Sequence, residues 1–145
     1  MKNVLLSTAL LLLLIACQTD QPIGPSDLLY RRWRMTQIQY SGNQPIYVPT
    51  DSQWSIVSFK QNGMILYGKD GKFDPCCSPA RFKRKGNTLD LVDVEGIPLP
   101  ERTPNPICIS ASCVAPGNTW RINRLTDSSL IISQESAIAV YEPYP

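Results

Sequence analysis

The chain has 145 residues, with 14 basic and 12 acidic side chains and a formal net charge of +2. It contains no histidine, which excludes Ser-His-Asp and Cys-His nucleophiles, zinc sites built on imidazole, and histidine pH switches. The nearly balanced charge does not indicate a nucleic-acid-binding surface, and we expect no nucleic-acid partner.

An apolar run opens the chain. Residues 4–15 carry no charge and include seven leucines, but a helix needs about 20 apolar residues to span a bilayer. Lys2 precedes the run and the small residue Ala16 ends it, which is the layout of a secretory signal. The sequence therefore predicts a signal peptide over residues 1–16, followed by a chain of single-domain length.

The end of this run, Leu14-Ile15-Ala16-Cys17, resembles the lipobox of bacterial lipoproteins. In that family the peptide is cut before the cysteine, whose sulfur carries a diacylglycerol and whose amine carries a fatty acid such as palmitate. The resemblance implies lipidation of Cys17 and a place in the bacterial cell envelope. Gln18, where aspartate would retain the protein at the inner membrane, favours the outer membrane. The alternative is an ordinary signal peptide that leaves Cys17 as a free thiol.

A polar segment with two prolines and a glycine follows the cysteine. This composition predicts an extended tether that cannot form a packed core. We therefore divide the chain into the signal peptide, a lipidated anchor and tether over residues 17–27, and a folded domain over residues 28–145.

The folded part reads as strands. Runs rich in β-branched and aromatic residues alternate with turns such as Asn62-Gly63, a strong hairpin signal, and Gly86-Asn87. A change in the parity of apolar residues predicts a bulge near Thr36. The eight predicted strands are 30–40, 54–60, 64–68, 79–85, 88–94, 119–125, 129–133 and 138–141.

These strands are joined by sequence-adjacent hairpins, and no amphipathic helix is predicted. Eight antiparallel strands can close on themselves and leave no exposed edge. The prediction is therefore an all-β fold, an eight-stranded antiparallel up-and-down barrel. A β-sandwich is the alternative.

Three segments carry a family resemblance: Trp33 early in the first strand, residues 58–63, and residues 120–126 before the last hairpin. Together they resemble the lipocalin-like domains of bacterial lipoproteins, which implies a lipocalin-like barrel. The chain departs from true lipocalins in two ways. Arg31 stands where they carry the glycine of Gly-x-Trp, and no arginine follows the last strand to cover the tryptophan.

Four cysteines remain after Cys17, and an even number in an exported chain implies two disulfides. A bond between Cys76 and Cys77 would close a strained ring, so we expect each of them to pair with one of Cys108 and Cys113, in either arrangement. Such bonds would staple the proline-rich loop 95–118 to the segment before the fourth strand. A four-cysteine metal site is the disfavoured alternative because adjacent cysteines chelate poorly, and we predict no metal and no cofactor.

An apolar ligand site is predicted from aromatic side chains. Six aromatic residues could line a cavity, although aromatic residues in strands more often fill a core: Trp33, Trp54, Phe59 and Trp120, together with Tyr67 and Phe82. The alternative is a barrel completely filled by its own side chains.

The sequence also contains two clusters of charged residues. Arg81 and the segment 83–85 form a basic group that either binds anionic headgroups or an acidic partner, or keeps a hairpin solvated, which is the favoured interpretation. Asp90, Asp93 and Glu95 lie close in sequence, but no nucleophile with an activating base is found, so no enzyme is predicted.

The sequence thus predicts a membrane-anchored lipocalin-like lipoprotein of the bacterial envelope that binds a small apolar ligand. The alternative is a structural or accessory protein-interaction subunit of an outer-membrane complex, with the loop 95–118 as its partner surface.

Overall fold

A computed structural model describes residues 26–50, 52–91, 98–113 and 117–145. The predicted signal peptide, Cys17, the tether up to residue 25 and the acidic pair Asp93 and Glu95 lie outside the described residues. Within the described part of the chain, no helix has the length and apolarity needed to cross a bilayer.

The described residues form an all-β, antiparallel fold with three short 3₁₀ helices, at Ser26–Leu29, Gln53–Ser55 and Pro106–Ile109. The strands are β1 (Arg32–Tyr40), β2 (Ile46–Tyr47), β3 (Ile56–Phe59), β4 (Ile65–Tyr67), β5 (Lys83–Lys85), β6 (Thr88–Asp90), β7 (Thr119–Leu125), β8 (Leu130–Ser133) and β9 (Ala137–Pro143). The all-β antiparallel prediction is confirmed.

The strands form one sheet in the order β4-β3-β1-β9-β8-β7-β6-β5, with β2 added beside β1. The two ends of this order meet at an isolated bridge between Met64 and Arg81. Backbone hydrogen bonds of 2.8 Å flank the bridge, from the Ile65 amide to Ala80 and from the Phe82 amide to Gly63. The sheet therefore curls into a barrel-like shape.

Some of the bulges and turns of the sheet were predicted from the sequence and others were not. The register between β1 and β9 shifts between Met35 and Gln37, which confirms the predicted bulge. Gly63 has a φ of 85° in the turn between β3 and β4, a conformation that glycine adopts without steric cost. The segment predicted as a strand from residue 54 instead begins with a 3₁₀ turn, in which the Ser55 amide and hydroxyl both donate to the Ser52 carbonyl.

One end of the barrel-like sheet is filled by the start of the described chain. Leu29 and Trp33 are fully buried in the main hydrophobic cluster, and Trp33 Nε1 donates to the Leu29 carbonyl at 3.2 Å. Arg31 lies over the Trp33 ring, 4.3 Å from its centroid, and donates to the carbonyls of Thr126 and Asp127. We call this the closed end; because the strands alternate in direction, the turns after β3, β5 and β7 lie here too.

Two disulfides fasten the opposite end. Of the pairings left open by the sequence, the structure contains Cys76–Cys108 and Cys77–Cys113, with Cα separations of 5.1 and 5.2 Å. Cys76 has a φ of 65°, in the left-handed region, and its amide donates to the Asp74 carboxylate at 3.0 Å. This turn allows two adjacent cysteines to reach two different partners.

Candidate functional site: a cavity at the mouth

A cavity of about 390 Å³ lies at the end opposite the closed end, which we call the mouth. Its walls come from the second half of β1, from β4, β7 and β9, and from the segment that carries Cys77. Its lining is mostly aliphatic and aromatic: Met35, Ile38, Trp54, Tyr67, Pro75, Cys77, Ser78, Pro79, Trp120, Gln134 and Tyr141.

Three of the six aromatic residues predicted to line a ligand cavity lie at the mouth cavity: Trp54, Tyr67 and Trp120. Trp54 lies on the 3₁₀ turn before β3 with 46% of its surface exposed, and Trp120 is buried on β7; both line the cavity. Trp33 and Phe59 do not line it, because both are fully buried in the core, where Phe59 packs edge-on against Phe82 at 5.6 Å. Of the predicted lining residues, the mouth cavity therefore contains Trp54, Tyr67 and Trp120.

Two buried tyrosines line the mouth cavity and supply polar groups: Tyr67, which the sequence predicted as a lining residue, and Tyr141, which it did not. The Tyr67 hydroxyl donates to the Pro79 carbonyl at 2.8 Å, and Tyr141, on the neighbouring wall, also lines the cavity. Burial raises the pKa of Tyr67 well above its usual range, and the neighbouring Tyr141 adds to the rise, partly offset by Ser78 and Arg102. Burial also raises the pKa of Tyr141. Both hydroxyls therefore stay neutral at physiological pH.

The electrostatics of the mouth cavity favour a neutral occupant. None of the residues that line it carries a formal charge; its polar groups are hydroxyls and the amide of Gln134. Moving a charge from water into such surroundings without a partner is costly, whereas a neutral molecule with one polar group loses little. The cavity can therefore hold an uncharged molecule and offer it a hydroxyl donor.

The disulfides position one wall of the mouth cavity. Pro75, Cys77, Ser78 and Pro79 all line it, and the Cys77–Cys113 bond fixes this segment to the chain before β7. Nearby, the Asn105 amide donates to the Asp74 carbonyl at 2.8 Å. The wall is therefore a loop whose place depends on covalent bonds rather than on strand pairing.

The buried tyrosines lead to a prediction about alkaline stability. Above pH 10, the usual tyrosine value, the unfolded chain ionises Tyr67 and Tyr141 while the folded chain keeps both protonated. Stability is therefore fully present below pH 10 and falls above it, by about 1.4 kcal/mol per pH unit for each tyrosine. When urea unfolding is measured from pH 9 to 11, the decrease in the free energy of unfolding with pH should be half as steep in Tyr141→Phe as in the parent. An unchanged slope in that variant would contradict the assignment, and Tyr47→Phe, at a largely exposed position, is the matched control.

The four cysteines that could have formed a metal site are all engaged in disulfides. In the described ranges, no group of three or more histidine, cysteine, aspartate or glutamate side chains is arranged to hold a metal ion.

Comparison of the chain with protein-family models, with curated proteins and with solved structures finds no match.

Proposed function

We propose that this chain is a lipid-anchored, lipocalin-like lipoprotein of the bacterial outer membrane that binds a small, neutral, largely apolar molecule in the mouth cavity. The observation that carries the proposal is the cavity itself. Its volume of about 390 Å³ falls within the range of small-molecule sites, about 300–1,000 Å³. Its apolar walls and few polar groups also match the composition of such sites.

Two features of the fold support the lipocalin-like part of this proposal. Apart from β2, consecutive strands pair with each other except β4 and β5, which are joined only through the isolated bridge between Met64 and Arg81. Because β1 also pairs with β9, this order resembles that of an eight-stranded up-and-down barrel. Arg31 lies over the Trp33 ring. In true lipocalins an arginine after the last strand covers this tryptophan, so Arg31 takes the place of that residue. The anchor rests on the lipobox resemblance at Cys17.

The chemistry of the lining suggests how a ligand would be held. Trp54 and Trp120 offer aromatic faces, and offset or edge-on contact with such rings contributes about 0.5–1.5 kcal/mol beyond the area buried. The Tyr141 hydroxyl would donate to a carbonyl or ether oxygen of the guest. A molecule with one acceptor on an apolar or aromatic body therefore fits best.

A fluorescent probe tests the proposal directly. We expect neutral N-phenyl-1-naphthylamine to bind the protein with increased emission, and Trp54→Ala to weaken binding about fivefold to tenfold because one aromatic face is lost. Trp54 is half-exposed on a turn, so this variant should fold. Tyr47→Ala, an exposed aromatic residue outside the lining, should bind like the parent. Equal affinity in Trp54→Ala and the parent would contradict binding at the mouth.

A second candidate function has its own observation. Ile107 and Ile109 are 72% and 92% exposed on the 3₁₀ helix Pro106–Ile109, where the Cys108 disulfide holds them in place. Exposed isoleucines on a rigid support are typical of a protein-docking surface. Native mass spectrometry of the protein from its own host separates the two candidates, since a small co-purifying mass favours the ligand and a co-purifying protein favours assembly.

A further inference from the structure

A second cavity, of about 450 Å³, lies at the closed end, between β5 and the turn at residues 61–63. Tyr30 and Phe82 form its apolar part, and three consecutive basic residues, Lys83, Arg84 and Lys85, also line it. We call this cavity the basic groove. It shares no lining residue with the mouth cavity.

The basic groove keeps its positive charge. No acidic residue lines it, and Lys83 and Lys85 are both exposed. Lys85 forms an ion pair with Asp90 at 2.7 Å, but 75% of the lysine side chain remains in contact with solvent. Such an exposed pair is weak, so Lys85 can turn to another anion at little cost.

The chain enters the fold beside the basic groove. Tyr30 lines the groove and directly follows the 3₁₀ helix Ser26–Leu29, with which the described chain begins. The eight residues between Cys17 and Ser26 reach at most about 29 Å. If Cys17 carries acyl chains, as the proposed function requires, the closed end stays close to the lipid headgroups.

The opposite end differs in charge. Exposed acidic residues there include Asp70, Glu101 and Glu135, beside the exposed Lys69 and Lys72. The closed end also carries an exposed acidic residue, Asp127, but beside three exposed lysines, Lys60, Lys83 and Lys85. A negative membrane surface attracts lysines within about a Debye length, 8–10 Å at physiological salt, and repels carboxylates. The charge distribution therefore favours an orientation with the closed end toward an anionic membrane.

We infer that the basic groove docks on anionic phospholipid headgroups, with Lys83 and Lys85 contacting the phosphates, so that the mouth cavity opens away from the bilayer. This inference rests on the lipid anchor of the proposed function for proximity. It does not depend on which molecule occupies the mouth.

Lysine footprinting of the full mature protein on vesicles tests the docking. The protein is reconstituted on phosphatidylcholine vesicles with and without 30% phosphatidylglycerol, and its lysines are acetylated with a water-soluble active ester. We expect labelling of Lys83 and Lys85 to slow about fivefold on the anionic vesicles only. Labelling of Lys69 and Lys72 should not change, and 0.5 M salt should remove the protection.

Variants and a phosphate arm complete the test. Lys60, which is exposed and directly precedes the lining residue Gln61, should also be protected on anionic vesicles. The double variant Lys83→Gln, Lys85→Gln should lose this protection of Lys60, whereas Lys69→Gln, Lys72→Gln should retain it. Equal labelling on both kinds of vesicle overturns the inference, as does the same protection by inorganic phosphate alone, which would identify a free anion as the ligand. The same spectra report the acyl mass on Cys17. Protection without that mass would support docking while removing the anchor.

Discussion

Removing the Cys77–Cys113 disulfide by a double substitution to alanine should lower the free energy of unfolding by about 2.5 kcal/mol, and removing both disulfides should lower it by about 6 kcal/mol. The loss of both bonds exceeds twice the loss of one bond because the two disulfides close nearly the same segment of chain. With Cys76–Cys108 intact, the second bond closes a ring of only eight residues, namely 76, 77 and 108–113. A first bond alone closes a loop with a sequence separation of 32, worth about 3.7 kcal/mol in the chain-entropy model.

Urea unfolding of four proteins measures this effect. The parent, the variant lacking Cys76–Cys108, the variant lacking Cys77–Cys113 and the variant lacking both form a complete double-mutant cycle. We expect the two single-bond variants to be equally destabilised, because each removes the same eight-residue ring. Losses that simply add, or a loss below 3 kcal/mol when both bonds are absent, would contradict the shared-loop account.

The second large effect is expected at the closed end. Trp33→Ala should lower the free energy of unfolding by about 3–5 kcal/mol, because it leaves a cavity where a fully buried ring now packs. Trp33→Phe should cost less, about 1–2 kcal/mol, since it removes mainly the hydrogen bond to the Leu29 carbonyl. Arg31 also loses its ring contact in the alanine variant.

The matched control for Trp33→Ala is Trp54→Ala. Trp54 has the same side chain but is 46% exposed, so its removal should cost under about 1 kcal/mol while weakening probe binding. Trp33→Phe should show the reverse, with reduced stability and unchanged affinity for the probe. If the two alanine variants unfold at the same urea concentration, the placement of Trp33 in the core is contradicted.

Much of the strand pattern could be predicted because it is local. Alternation along each segment marks the strands, and the change of parity after Met35 marks the bulge now seen between β1 and β9. The short β2 at Ile46–Tyr47 was not predicted, since the three residues between Pro45 and Pro49 are too few to show alternation. Its pairing with Gln37 and Ile38 becomes possible only once the chain has folded back on β1.

The candidate site was less predictable because it depends on which end of the sheet each residue reaches. Trp33 and Trp120 both read as aromatic strand residues, yet one closes an end and the other lines the mouth. That difference is set by strand register over long separations, such as Trp33 opposite Pro143. Tyr141 gave no distinguishing signal either, since its neighbours Ala139 and Val140 suggest an ordinary strand.

The stretch of chain from Pro79 to Lys85 belongs to both proposed surfaces. Its first residue lines the mouth cavity and its last four residues line the basic groove. It is joined to the β4 side by the bridge at Arg81 and by the hydrogen bond from the Tyr67 hydroxyl to the Pro79 carbonyl. A guest that displaced Pro79 would therefore move the same short segment that carries Lys83 and Lys85. Where occupancy of the mouth changes the affinity of the basic groove for headgroups, thermodynamic reciprocity requires that docking change the affinity of the mouth by the same factor.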